Sequence, residues 1–260
     1  MASAFTRNTP LSRLAESYWA ESSRPMASLV FIAPLLVIYE LGVLVLGPES
    51  VRNGADLWLR ELLRFAGFGQ YFLLPAATVV LLLSWHYTTR RPWRLSSGLF
   101  PGMFVECLLL AVCLRLILEL QGILFHGVTG SLDPLDGAST VRMDVSGGVR
   151  DAVGFLGAGV YEELLFRLML LPAVGWALRR SGMGRRPSVF LAVIVTSLMF
   201  AAAHYVGQPA GALLSAGSPI WFSFLFRFLA GVFFSVLFVY RGFGITAGTH
   251  AGYDILVGLF

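Results

Sequence analysis

Seven apolar runs, each of a length to cross a bilayer, take up most of this 260-residue chain, at roughly 27–47, 70–88, 99–125, 151–178, 188–206, 218–240 and 243–260. They constrain the fold more than any motif does, because a chain so organised reads as seven transmembrane helices. Composition agrees: 57% of residues are hydrophobic and only 13% charged, which places the chain with polytopic membrane proteins rather than large soluble domains. The expected fold class is all-α. No cleavable signal peptide is expected, since residues 1–25 are polar and carry Arg7, Arg13 and Arg24, while the first apolar run is long enough to act as its own insertion signal.

All 19 basic residues are arginine, and their placement alternates. Arg7, Arg13 and Arg24 precede the first run, Arg90, Arg91 and Arg94 follow the second, Arg179, Arg180, Arg185 and Arg186 follow the fourth, and Arg241 follows the sixth. The opposite connections hold fewer: Arg52, Arg60, Arg64, Arg142 and Arg150. The positive-inside rule then gives a cytoplasmic N-terminus and an external C-terminus. Loop anchoring accounts for the formal charge of +4, so no nucleic-acid partner is inferred. Cys107 and Cys113 lie six apart in one run, on different helix faces, and no disulfide is expected.

Three regions follow: a cytoplasmic N-terminal tail over 1–26, N-terminal transmembrane helices and loops over 27–149, and a C-terminal transmembrane region over 150–260 that holds the polar motifs. The external stretch 54–66 interleaves leucines and Trp58 with Asp56, Arg60, Glu61 and Arg64, which suits an amphipathic helix at the interface, serving chiefly as a connector. Residues 126–150 form the one sizeable polar insertion, rich in Gly, Ser and Asp, and read as a linker.

Within the fourth run, Val160 to Leu170 sets Glu162, Glu163 and Arg167 among residues otherwise fit for lipid. A charge near the bilayer centre costs roughly 2.5–3.5 kcal/mol or more, so such groups face the bundle interior and usually mark function. Glu163 and Arg167 are four apart and can pair, whereas Glu162 sits about 100° round the helix. One carboxylate is thus neutralised and the other left poised, as general-base catalysis requires. Two further helices carry a histidine in similar settings: Phe200 to His204 ("FAAAH") in the fifth run and His250 to Asp254 ("HAGYD") in the seventh. Each pair is four apart, so Phe200 flanks His204 and Asp254 can bond His250 and fix its tautomer. His86 and His126 stand at helix ends and read as interfacial.

Glu162-Glu163-x-x-x-Arg167, Phe200-x-x-x-His204 and His250-x-x-x-Asp254, in that order on successive helices, resemble the three motifs of the CPBP family of type II CAAX prenyl endopeptidases and bacteriocin-processing or immunity-related membrane proteins. The resemblance covers roughly residues 150–260. It implies a glutamate-dependent intramembrane endopeptidase that hydrolyses a membrane-associated, in some members prenylated, protein or peptide. Carried over residue by residue, Glu162 activates a water, His204 helps hold and deprotonate it, His250 and Asp254 stabilise the oxyanion, and Glu163 with Arg167 orients the first carboxylate. The prenyl endopeptidases carry Asn at the last motif position. An ionised Asp254 can only accept, so either it orients His250, which then donates alone, or Asp254 is protonated in its buried site. Asp occurs there in bacterial relatives, and with the all-arginine usage it suggests a bacterial cytoplasmic membrane as the location.

No cofactor is implied, and the partners expected are the bilayer and a membrane-bound substrate. Two alternatives stand beside this reading. The two histidines and two glutamates could hold a divalent metal such as zinc, although no ligand pair of the His-Glu-x-x-His kind is present. The protein could also be a non-proteolytic immunity or scaffold protein that keeps the motif as a polar core. A proton-coupled transporter would be expected to show inverted repeats, and none is apparent. Among the remaining charges, Arg115 and Glu119 are read as a structural pair, Glu40 and Glu106 as interfacial, and Arg227 as a cation that meets either a catalytic carboxylate or a substrate's C-terminal carboxylate.

Overall fold

The structure, a computed structural model, describes residues 17–47, 51–129, 145–206 and 219–259, and these form helices joined by short connections, with no strand among them. The elements are α1 (Pro25–Leu46), α2 (Gly54–Phe65), α3 (Leu73–Thr89), α4 (Leu99–Thr129) and α5 (Val145–Glu163), then a π-helical segment (Leu164–Leu170) that runs into α6 (Leu171–Arg180), and finally α7 (Arg185–Ala203), α8 (Pro219–Arg241) and α9 (Phe243–Leu259).

These helices fall where the apolar runs lie, but length and composition qualify fewer of them as spans. Three are long and apolar enough to cross a membrane: α1, α7 and Ile220–Arg241 of α8. The count of seven is not established by this measure. With 17 residues, α3 is about 26 Å long, short of a hydrocarbon core of about 30 Å. The polar insertion is also shorter than expected, since α4 continues to Thr129 and α5 begins at Val145, while residues 130–144 lie outside the described residues.

Helix ends follow local rules. Pro25 opens α1, where its missing N–H costs nothing, and Gly47 closes it at φ 93°. The Asn53 side chain caps α2 by accepting from the Asp56 N–H at 2.8 Å. Along α3 the buried residues Leu74, Thr78, Leu82 and His86 recur every fourth position and face α1. His86, in the last turn of α3, is fully buried against Trp93, because the segment after α3 folds back over it.

The last helix, α9, is the hub of the bundle, packing on α5, α4, α1 and α8. Small residues let it approach: a Cβ on Gly159 of α5 would lie 2.7 Å from both the Cβ and the N of Ala251. Both ends of the bundle carry polar clasps. At one end Arg241 pairs with Glu106 at 2.6 Å, Tyr18 donates to the same carboxylate, and Glu21 accepts from Ser96. Arg24 there donates to the Arg94 carbonyl, so segments assigned to one side by arginine placement do lie together. Glu106 is in this sense partnered rather than merely interfacial. Cys107 and Cys113 are free, one buried and one exposed.

Candidate active site

α5, α7 and α9 bring the polar motifs together. Glu162 stands next to last in α5, and the π-helical segment begins just after Glu163. Such segments widen a helix by one residue per turn and are frequent at functional sites. This one carries Arg167 inward, where it is almost wholly buried. His204 caps the C-terminal end of α7, and His250 lies half-way along α9. Their depths, disparate if counted from the ends of the apolar runs, coincide because α7 ends at the level of the middle of α9.

The two adjacent glutamates meet opposite nitrogens of one imidazole. Glu163 Oε1 lies 2.7 Å from His250 Nδ1 and 3.0 Å from the Arg167 guanidinium. Glu162 Oε2 faces His250 Nε2 at 3.9 Å and His204 Nε2 at 3.8 Å. Asp254 Oδ2 is 3.5 Å from His250 Nε2. Side-chain exposure separates the carboxylates: none for Glu163, 13% for Glu162. Glu162 Oε2 has no hydrogen-bond partner, which leaves it free to accept one.

Hydrogen bonding fixes the tautomers. His204 Nδ1 is 2.8 Å from the Phe200 carbonyl, an obligate acceptor, so Nδ1–H donates and the Nε2 lone pair faces Glu162. His250 Nδ1–H donates to the Glu163 carboxylate, and its Nε2 faces two further carboxylates, those of Glu162 and Asp254. Glu163 bonds His250, while Arg167 bonds Glu163 and the Gly231 carbonyl; among the described residues neither is hydrogen-bonded to Glu162.

Aromatic and backbone groups hold these side chains, Phe200 from within the motifs and Phe234 and Gly231 from outside them. The Phe234 ring of α8 stacks on His250 at 4.5 Å, nearly parallel. Arg167 lies over the Phe200 ring at 4.3 Å and donates to the Gly231 carbonyl. Gly231 sits close to α7 there: a Cβ on it would come 3.0 Å from Ser197 Cβ, so the neighbour would have to give by a few tenths of an ångström. No signal within the motifs pointed to α8, whose apolar pattern gives no hint of which faces meet α7 and α9.

A cleft opens onto Glu162 and His204, lined also by Phe166, Ala203, Gly54, Ala55 and Trp58. The opening has α2 as one wall, so the interfacial connector reading of α2 is incomplete. Arg227 bonds the Tyr205 and Ser223 hydroxyls and, among the described residues, pairs with no carboxylate within 4.0 Å. Arg115 and Glu119 pair at 3.1 Å, as their spacing predicts. Glu40 is buried and bound to Arg60 and Tyr161, because α2 folds back onto it. Among the described residues no three His, Cys, Asp or Glu side chains form a metal-ligand cluster.

Residues 150–256 match the family model described as type II CAAX prenyl endopeptidase Rce1-like. Neither a curated protein nor a solved structure matches the chain. The matched span contains all three polar motifs, and the apolar helices together with this family point to a membrane protein.

Proposed function

We propose, from the assignment of residues 150–256 to the CPBP family, that this protein is a multi-pass intramembrane endopeptidase that hydrolyses a peptide bond of a membrane-associated protein or peptide with a glutamate-activated water. The family is generally one of proteases. One observation carries the mechanism: Glu162 Oε2 lies between the Nε2 atoms of His204 and His250, in a cleft reached from outside.

Two acceptors, the Glu162 carboxylate and the His204 Nε2 lone pair, suit the two protons of one water. As the water oxygen attacks the substrate carbonyl, one of these acceptors takes a proton. That proton later passes to the leaving amine, while the carbonyl oxygen, now negative, receives a hydrogen bond from His250 Nε2–H. Glu163 and Arg167 serve His250: the carboxylate holds Nδ1–H, and the guanidinium neutralises the carboxylate and ties it to Gly231. Asp254, an acceptor when ionised, directs the Nε2–H end of the same ring.

The test is cleavage of a fluorogenic prenylated peptide and its non-prenylated counterpart by purified protein in detergent, beside Glu162→Gln and with a chelator in parallel. Cleavage that resists the chelator and falls by about 10²-fold or more in the variant supports the reading. Loss on chelation that added zinc restores would replace it with the metal-dependent alternative. A Glu162→Gln protein as active as wild type would sink the catalytic role.

A further inference from the structure

The cleft has walls from two sources. Phe166, Ala203, Glu162 and His204 belong to the family-matched region, whereas Gly54, Ala55 and Trp58 come from α2, outside it. That helix divides its charges: Glu61 and Arg64 are exposed, as on a helix lying at a membrane surface, yet Asp56 and Arg60 are buried with Ala55 and Leu59, and Trp58, Leu62 and Phe65 form an exposed stripe at spacings of four and three.

The inward charges have partners. Arg60 pairs with Asp56 at 2.6 Å and with Glu40 of α1 at 3.0 Å, and donates to the Tyr71 carbonyl. Burial opposes the charge on Arg60, but Asp56 and Glu40 outweigh that effect and its pKa is raised. Tyr39 donates to Asp56 at 2.8 Å, and Tyr161 donates to Glu40 at 2.5 Å. Tyr161 is the residue before Glu162, so the network joins α2 through α1 to the helix that carries the base. A wall clamped in this way keeps a set distance from the reacting atoms.

We propose that α2 builds a substrate subsite in which Trp58 is the specificity-determining residue, taking the bulky apolar side chain of the peptide residue next to the scissile bond. Among the described residues that line the cleft only Glu162 and His204 have ionisable side chains, and the proposed mechanism uses both on water. What remains for the substrate is Ala55, Trp58, Phe166 and Ala203, an apolar surface dominated by one indole. The cleft holds about 80 Å³, small for a ligand site, which suits one side chain and not a long segment. Gly54 leaves the indole uncovered, carrying no side chain beside it.

This subsite rests on the peptidase reading, and two measurements separate their fates. The first is binding of a labelled peptide with Leu beside the scissile bond, and of its Ala counterpart, to Glu162→Gln protein, with and without Trp58→Ala. The second is kcat/KM for both peptides with Glu162 intact. Trp58→Ala is expected to weaken Leu-peptide binding and kcat/KM about tenfold or more, mainly through KM, with less than about a threefold change for the Ala peptide. Trp58→Phe should restore most of the loss, and Leu62→Ala, on the same stripe but outside the cleft, should change neither. Equal losses for both peptides, no loss, or no binding of either peptide would overturn the subsite. Leu-selective binding that depends on Trp58 without any cleavage would keep the subsite and overturn the peptidase.

Discussion

Glu162 and Glu163 are chemically identical neighbours in the chain, and their surroundings alone give them different work. Glu163 has no exposure and accepts from both Arg167 and His250, so it acts as a fixed negative charge under the imidazole. Removing its cation leaves that charge buried without its main partner. Arg167→Ala is expected to lower stability by about 3–5 kcal/mol, read as a drop in thermal midpoint in detergent, and to reduce cleavage as His250 loses its support. Arg167→Lys should cost less but not nothing, because a single ammonium cannot bond Glu163 and Gly231 with the same fork. Asp254 offers a sharper test of the oxyanion assignment. Asp254→Asn adds an amide donor at the position where the prenyl endopeptidases carry Asn, so cleavage should stay within about tenfold of wild type. Asp254→Ala should fall further, through kcat, because His250 Nε2 loses the acceptor that aligns it. Equal rates for the two variants would remove Asp254 from the mechanism.

At the scale of elements, the site depends on how closely three helices approach and on one irregularity. The π-helical segment after Glu163 brings Arg167 inward in the same rod that supplies Glu162, and α9 then fits against α5 at Gly159. A side chain at Gly159 would strike backbone atoms of α9, including the Ala247 carbonyl at 2.8 Å, which cannot move aside as a flexible side chain would. Gly159→Val is therefore expected to destabilise by about 1–3 kcal/mol through overpacking. Catalysis should suffer more than stability, since His250 sits on the turn of α9 that is displaced and the contacts to Glu162 and Glu163 open together. Thermal unfolding and kcat/KM measured on the same preparation separate these effects. A large loss of stability with unchanged kcat would show that the site tolerates the shift.

For the whole molecule, the arrangement of clasps gives the bundle two chemically distinct ends. Arg24, Arg94, Arg241 and Glu106 cluster at one, and α2 meets the start of α5 near the other, where Gly154 lies beside the Val51 carbonyl. Counting arginines assigns the first end to the cytoplasm. Single cysteines placed at Ser96 and Ser181, after Cys107 and Cys113 are replaced, should react with an impermeant thiol reagent only in inverted vesicles, and a cysteine at Gly69 only in right-side-out ones. Labelling of Ser96 and Gly69 positions from the same side would overturn the odd number of spans between the termini.

The helix positions were legible because apolar runs of spanning length have few other fates, and the three polar motifs stood out because charge is costly in such runs. Spacing four apart was enough to foresee that Glu163 pairs with Arg167 and that Asp254 lies near His250. Local periodicity says nothing about partners on other helices, and there only the tertiary structure decided. Packing of α9 between α5 and α8 put the two glutamates on opposite nitrogens of His250 and the Phe234 ring against its face. In the same way the fate of Asp56 and Arg60, which looked like the wet face of a surface helix, depended on whether Glu40 and Tyr161 were near enough to compensate their burial. A sequence specifies which groups must find partners, whereas the choice of partner is made by packing between segments far apart in the chain.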